Sequence, residues 1–230
     1  MTNGMMPSQG MWGVRRIEIP PHSFNATYNP SGGTTGYNFT ISNVELGIAH
    51  QQRNIIAAIT YADSSQITNS FSINGVIGTL LYKSGTYSVH SDCWTTLYTV
   101  PENESKTGNL IINFSGSVSR APISISLYSL YGLSLDSIIE INGTNNNQLI
   151  QNVTKVQGGF IIFTGSINTA GVIFNTISKP GVDTAVIAGH AGWGASGYSF
   201  VTETSYTQDY TLRFSTNNTK QVCSFSFIPL

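Results

Sequence analysis

Residues able to do chemistry are sparse in this chain, and the carboxylates come first. Asp136 and Glu140 lie four positions apart, and a pair of carboxyl groups is what glycoside hydrolysis uses for its acid and base steps. In strand-forming surroundings that spacing means only a shared face, and two solvated strand-end carboxylates are the simpler reading. His22, His50, His90 and His190 contain no His-X-His or His-Glu pair that would prearrange a metal site. A serine nucleophile elbow needs Gly-X-Ser-X-Gly between a strand and a helix. Gly194-Ala195-Ser196-Gly197 has the wrong spacing, and no helical pattern follows it. These residue types point away from catalysis, and neither a cofactor nor a metal is expected.

Two aromatic residues in a glycine-rich run, Trp193 and Tyr198 between Gly189 and Tyr198, form the most unusual local sequence. Exposed, they would stack on a sugar face or act as a protein contact point; buried, the same Trp would anchor one end of a core. Trp94 sits in a strand-like stretch, Cys93 to Tyr98, and reads as a core or interface anchor. The two cysteines, Cys93 and Cys223, are too few and too far apart for a disulfide scaffold or a zinc site, so both are expected as buried thiols in strands.

The elements that must position these residues are bounded by composition. Of 230 residues only 9% are charged, with ten basic against eleven acidic side chains, where an ordinary domain carries about 25%. A basic field for nucleic acid is therefore excluded. Eleven Tyr and eleven Phe within a 40% hydrophobic chain favour a folded core over disorder. No apolar run approaches the roughly 20 residues of a membrane helix, and the first residues lack a signal-peptide core. A soluble protein made in a cytoplasm is expected, with the Asn-X-Ser/Thr triplets as chance products of an Asn, Ser and Thr-rich chain.

Period-two alternation dominates. Leu110 to Phe114, Ile123 to Leu127, Tyr210 to Phe214 and Cys223 to Phe227 alternate apolar with hydroxyl or polar residues, the mark of strands with one buried face. Arg53 to Ile59 and Phe160 to Phe163 are continuous apolar runs instead, as expected of strands covered on both sides. Asn74-Gly75, between two such segments, predicts a type I′ hairpin. The pattern supports about fourteen strands and no ordinary helix. The expected fold is an all-β, antiparallel β-sandwich of jelly-roll type over 37–230. Residues 1–36, with Pro7, Pro20, Pro21, Pro30 and the apolar points Met5, Met6, Met11 and Trp12, read as an extended N-terminal arm that docks on a neighbour.

The order of these segments, from the Arg53 run through Ser70 to Gly75, Tyr98 to Pro101, Gly108 to Ser115, Ile125 to Gly132, Gly158 to Ile162 and Tyr210 to Phe227, resembles Ser/Thr-rich β-sandwich structural proteins of tailed-bacteriophage virions. The resemblance implies a non-enzymatic virion component, a capsid decoration or cement protein. It would contact the major capsid or other virion proteins, and further copies of itself, through the arm and the Trp193 and Tyr198 region. It implies no direct nucleic-acid or membrane partner. The alternative is a carbohydrate-binding tail or tail-fibre module with a glycan at Trp193 and Tyr198. A neutral, hydroxyl-rich surface agrees physically with dense packing of like subunits, since little charge repulsion builds up.

Overall fold

The computed structural model describes residues 19–28, 38–61, 68–83, 94–102, 104–114, 123–144, 146–167, 174–178, 185–191, 194–202, 206–214 and 220–230. Seventeen strands occupy most of them, and none of the described residues is helical. The first nine are β1 (Ser23–Tyr28), β2 (Asn38–Glu45), β3 (Arg53–Tyr61), β4 (Thr68–Ile73), β5 (Val76–Ile77), β6 (Thr79–Lys83), β7 (Trp94–Val100), β8 (Thr107–Phe114) and β9 (Ile123–Tyr131). They are followed by β10 (Ile138–Thr144), β11 (Gln148–Lys155), β12 (Phe160–Ile167), β13 (Phe174–Ser178), β14 (Ala185–Ala191), β15 (Gly194–Phe200), β16 (Tyr206–Phe214) and β17 (Lys220–Phe227).

All pairings are antiparallel, in four sheets: β2-β8-β4-β5 (sheet I), β1-β9-β3-β7-β6 (sheet II), β10-β17-β12-β15-β14 (sheet III) and β11-β16-β13 (sheet IV). Three buried clusters order these sheets as layers. Ile55, Ala57 and Ile59 of β3 meet Leu110, Ile112 and Phe114 of β8 between sheets I and II. Ile161 and Phe163 of β12 meet Tyr210, Leu212 and Phe214 of β16 between sheets III and IV. Ile56, Ala58 and Tyr128 meet Phe160, Ile162 and Phe225 between sheets II and III. The described residues thus build two sandwich-like halves stacked through their inner sheets, with three buried clusters between the layers.

This layering accounts for the continuous apolar runs. Alternate residues of β3 enter different cores, as do those of β12, so neither strand has a solvent face on which polar residues would be tolerated. β8 lies in an outer sheet and keeps strict alternation, with Leu110, Ile112 and Phe114 buried and Ile111 and Asn109 exposed. The Asn74-Gly75 hairpin forms as its residue types demand. Ile73 pairs with Val76, and the two turn residues take φ of 52° and 81°, the positive values a type I′ turn requires.

β1 falls inside the segment read as an arm. It is an edge strand of sheet II, pairing with β9 from Ser23↔Ser129 to Tyr28↔Ile125. The rest of that segment, apart from residues 19–22, lies outside the described residues.

The two halves share one strand plan. With β5 and β6 counted as two parts of one fifth strand, the inner sheet of each half runs first, last, third, sixth, fifth, and the outer sheet runs second, next-to-last, fourth, with β5 added to it in the first half. Placing Ile55 on Ile161 superposes the pairing registers, so that 125–130 of β9 correspond to 222–227 of β17. Even the turn entering the third strand matches: Arg53 N donates to His50 O at 2.9 Å, and Gly159 N to Val156 O at 2.9 Å. The β-bulges opening β4 and β13 also correspond.

Buried hydroxyls cross between the halves. Tyr128 Oη donates to Ser196 Oγ (2.8 Å), Ser196 Oγ donates to Ser126 Oγ (2.6 Å), and Ser126 lies 2.8 Å from Thr27 Oγ1. Cys223 is buried on the same interface, as its strand position predicts, and burial pushes its thiol up to about 12 despite hydrogen bonds with Thr95, Tyr82 and Thr164. A thiol held protonated in that way does not act as a nucleophile. Cys223 should resist iodoacetamide at pH 8 in native protein and react once urea unfolds the chain, which mass spectrometry of the Cys223 peptide would show. Cys93 lies outside the described residues.

Candidate ligand groove beside β1

A buried guanidinium organises a braced part of the surface. Arg53, 2% exposed at the start of β3, uses its whole guanidinium fork. Nε donates to Glu102 O at 2.8 Å, Nη1 to Leu46 O at 2.9 Å and Gly47 O at 3.3 Å, and Nη2 to Ser105 O at 2.7 Å and to the Glu102 carboxylate. Glu102 in turn accepts from Ser105 N at 3.0 Å. The loop 46–52 after β2 and the residues 101–102 and 104–106 before β8 are therefore tied to one side chain.

The facing wall is β1. Asn25 Nδ2 donates to Ser129 Oγ at 2.9 Å, and Ser129 Oγ donates to Leu46 O at 2.6 Å, linking β1 through β9 to the same loop. Gly47, at φ +73°, fills the tight point between them, where a Cβ would come within 2.8 Å of Ser129 Oγ. Only glycine combines that dihedral with that closeness. The walls enclose a groove of about 440 Å³. Pro21, Phe24 and Ile48 give it apolar surface, while Ser23, Asn25, Glu45 and Lys106 bring polar groups to it. Glu45 and Lys106 are exposed, and among the described residues no side-chain partner occupies either of them.

Behind Phe24 lies an aromatic cluster. Phe24 stacks on Tyr198 (6.1 Å between centroids), Tyr198 stacks on Phe160 (5.5 Å), and Phe160 meets Phe200 edge-on at 5.2 Å. Tyr198 is thus half-buried in the interface between the halves and supports the groove from behind. Met5, Met6, Met11, Trp12 and Trp193, the other residues read as partner contacts, lie outside the described residues.

His22 closes the end of this cluster, stacked on Tyr131 and Phe200, and its Nδ1 accepts from Tyr131 N at 3.1 Å. Burial holds its imidazole below the ordinary 6.5. The unfolded chain therefore takes up that proton first as pH falls. The stability contributed by neutral His22 is intact above pH 6.5 and is lost between 6.5 and the lowered folded value. Urea midpoints should fall more steeply from pH 7 to 5 for the native chain than for His22→Gln, whose amide oxygen can still accept from Tyr131. Equal slopes would mean that His22 is not coupled to folding.

The carboxylate pair of the sequence does not converge. Asp136 is exposed, whereas Glu140 is a staple between sheets III and IV: Oε1 accepts from Thr154 N at 2.9 Å and Oε2 from Ser224 Oγ at 3.0 Å. His50 Nδ1 accepts from Gln52 N at 3.1 Å, while His90 and the side chains of His190 and Trp94 lie outside the described residues. No group of three or more His, Cys, Asp or Glu that could hold a metal occurs among the described residues. Sequence reasoning missed the groove altogether. Arg53 reads as the polar start of a strand, and the one available signal was a charged residue heading an otherwise apolar run. No known protein family and no curated protein matches the chain.

Proposed function

We propose that the chain is a non-enzymatic structural protein of a bacteriophage virion, a capsid decoration or cement protein, with each half a jelly roll. Strand order carries this reading. In the first half the inner sheet runs first-eighth-third-sixth and the outer sheet second-seventh-fourth-fifth, with β5 and β6 as two parts of one fifth strand. That is the double Greek-key order of jelly rolls, an architecture that recurs in viral capsid and lectin domains. Surface chemistry supports it too. Across the outer face of sheet I the register aligns Thr40, Ile111, Ser72 and Ile77, an uncharged row suited to close, wet contact with a shell protein or another copy.

The deciding measurement is the abundance of this protein in purified particles. Decoration predicts hundreds of copies per particle, a few copies would move the protein to a vertex or the tail, and absence from particles would end the reading. Attachment through the N-terminal segment is tested by a chain starting at Ile19, since one starting at Tyr37 would also delete β1 and uncover the edge of β9. The Ile19 form is expected to fold cooperatively and to bind particles lacking the native protein more weakly than the full chain does. Equal binding would place attachment in the sheets.

A further inference from the structure

The shared plan of the two halves provides an internal control: what one half has and the other lacks is not required by the fold. Arg53 corresponds to Gly159, where a Cβ would lie 2.5 Å from Phe227 O and 2.8 Å from Val156 O, so the second half has no room for any side chain there. Ser23 and Phe24 correspond to Ile138 and Ile139, and the next residue, Glu140, reaches across to Thr154 N and Ser224 Oγ. The second half thus joins its first strand to its second by direct side-chain bonding. The first half makes the corresponding link, Glu45 N donating to Tyr28 Oη at 2.9 Å, and in addition braces both loops with a buried ion pair that the second half has no room for. Burying two charges is a poor way to gain stability. Bracing of this kind is what a preorganised binding site needs, since it removes the ordering cost from the binding step.

We propose that the groove beside β1 binds a short neutral oligosaccharide. Its volume, about 440 Å³, lies within the range of small-molecule sites. Pro21 and Ile48 offer the apolar C–H faces of a sugar ring a surface, while the Phe24 ring packs behind them on Tyr128 and Tyr198. Glu45 supplies only acceptors and Lys106 only donors, in a groove whose two free charges cancel. Sugar hydroxyls donate and accept at once, so a single uncharged ligand satisfies both groups, and Ser23 Oγ, which donates to Asn25 Oδ1 at 3.0 Å, still has lone pairs for a third hydroxyl. An anionic or cationic ligand would leave Glu45 or Lys106 facing like charge. This assignment stands whether or not the protein belongs to a virion.

The test uses the full chain with maltotriose, cellotriose, chitotriose, mannotriose and galactotriose, read by saturation-transfer NMR and titration calorimetry. Dialanine serves as a zwitterionic competitor. At least one trisaccharide should bind, and Glu45→Gln and Lys106→Met should each weaken it about tenfold, the effect of losing one charge-assisted hydrogen bond. Both residues are exposed, so both variants should keep the native urea midpoint, which separates lost binding from lost folding. Failure of all five sugars to bind, retention of full affinity in either variant, or displacement of the sugar by dialanine would each overturn the proposal.

Discussion

Replacing Arg53 by methionine is expected to lower the unfolding free energy by about 3–5 kcal/mol, because the Glu102 carboxylate then stays buried without its cation. Glu102 is 7% exposed, and its remaining donor is Ser105 N. Adding Glu102→Leu removes the stranded charge but leaves the carbonyls of Leu46, Gly47 and Ser105 without the donor they share. Recovery in the double variant should therefore be partial. Urea unfolding at pH 7 of the native chain, both single variants and the double variant gives the coupling directly. A loss below about 1 kcal/mol in Arg53→Met would put the pair in the class of solvated surface bridges, and the bracing role of Arg53 would fall with it.

Phe160→Ala is expected to have a comparable effect, about 3–5 kcal/mol, for a different reason: it opens a cavity where the two halves meet. The Phe160 ring is fully buried among Tyr128 (6.0 Å between centroids), Tyr198 (5.5 Å), Phe200 (5.2 Å) and His22 (5.7 Å). Surrounding rings on paired strands cannot collapse into the space without breaking sheet register, so little relaxation is available. The same change should bring water to His22, and since burial is what lowers its pKa, the imidazole should titrate closer to 6.5 in the variant. Denaturant unfolding reads the first effect and NMR titration of His22 the second. A variant that lost stability with His22 unmoved would show that the cavity had closed around the histidine.

Period-two patterning was enough to find most strands, because a strand half in and half out of a core must alternate whatever it pairs with. It also marked β3 and β12 as covered on both faces, and residue types alone set the Asn74-Gly75 turn. Strand count came out low because short pieces such as β5, two residues long, carry no period. β1 reads as arm because prolines flank it, although Ser23 to Tyr28 alternates polar residues with Phe24, Ala26 and Tyr28, the period of a strand.

The sequence by itself determined which residues turn inward and which turn to water, since that depends on local transfer energies and a fixed backbone geometry. Only the tertiary structure decided which sheet each inward face meets. Ile55 and Ile56 are equally apolar neighbours, yet they serve different cores, and nothing in a period of two distinguishes those destinations. The repeated plan was hidden for the same reason: Leu127 and Ser224 hold equivalent places, but one enters an apolar core and the other bonds Glu140. The groove depends on contacts between residues up to 104 positions apart, such as Asn25 with Ser129. Such contacts exist only after long-range pairing has placed β1 beside β9, so no local pattern could have announced them.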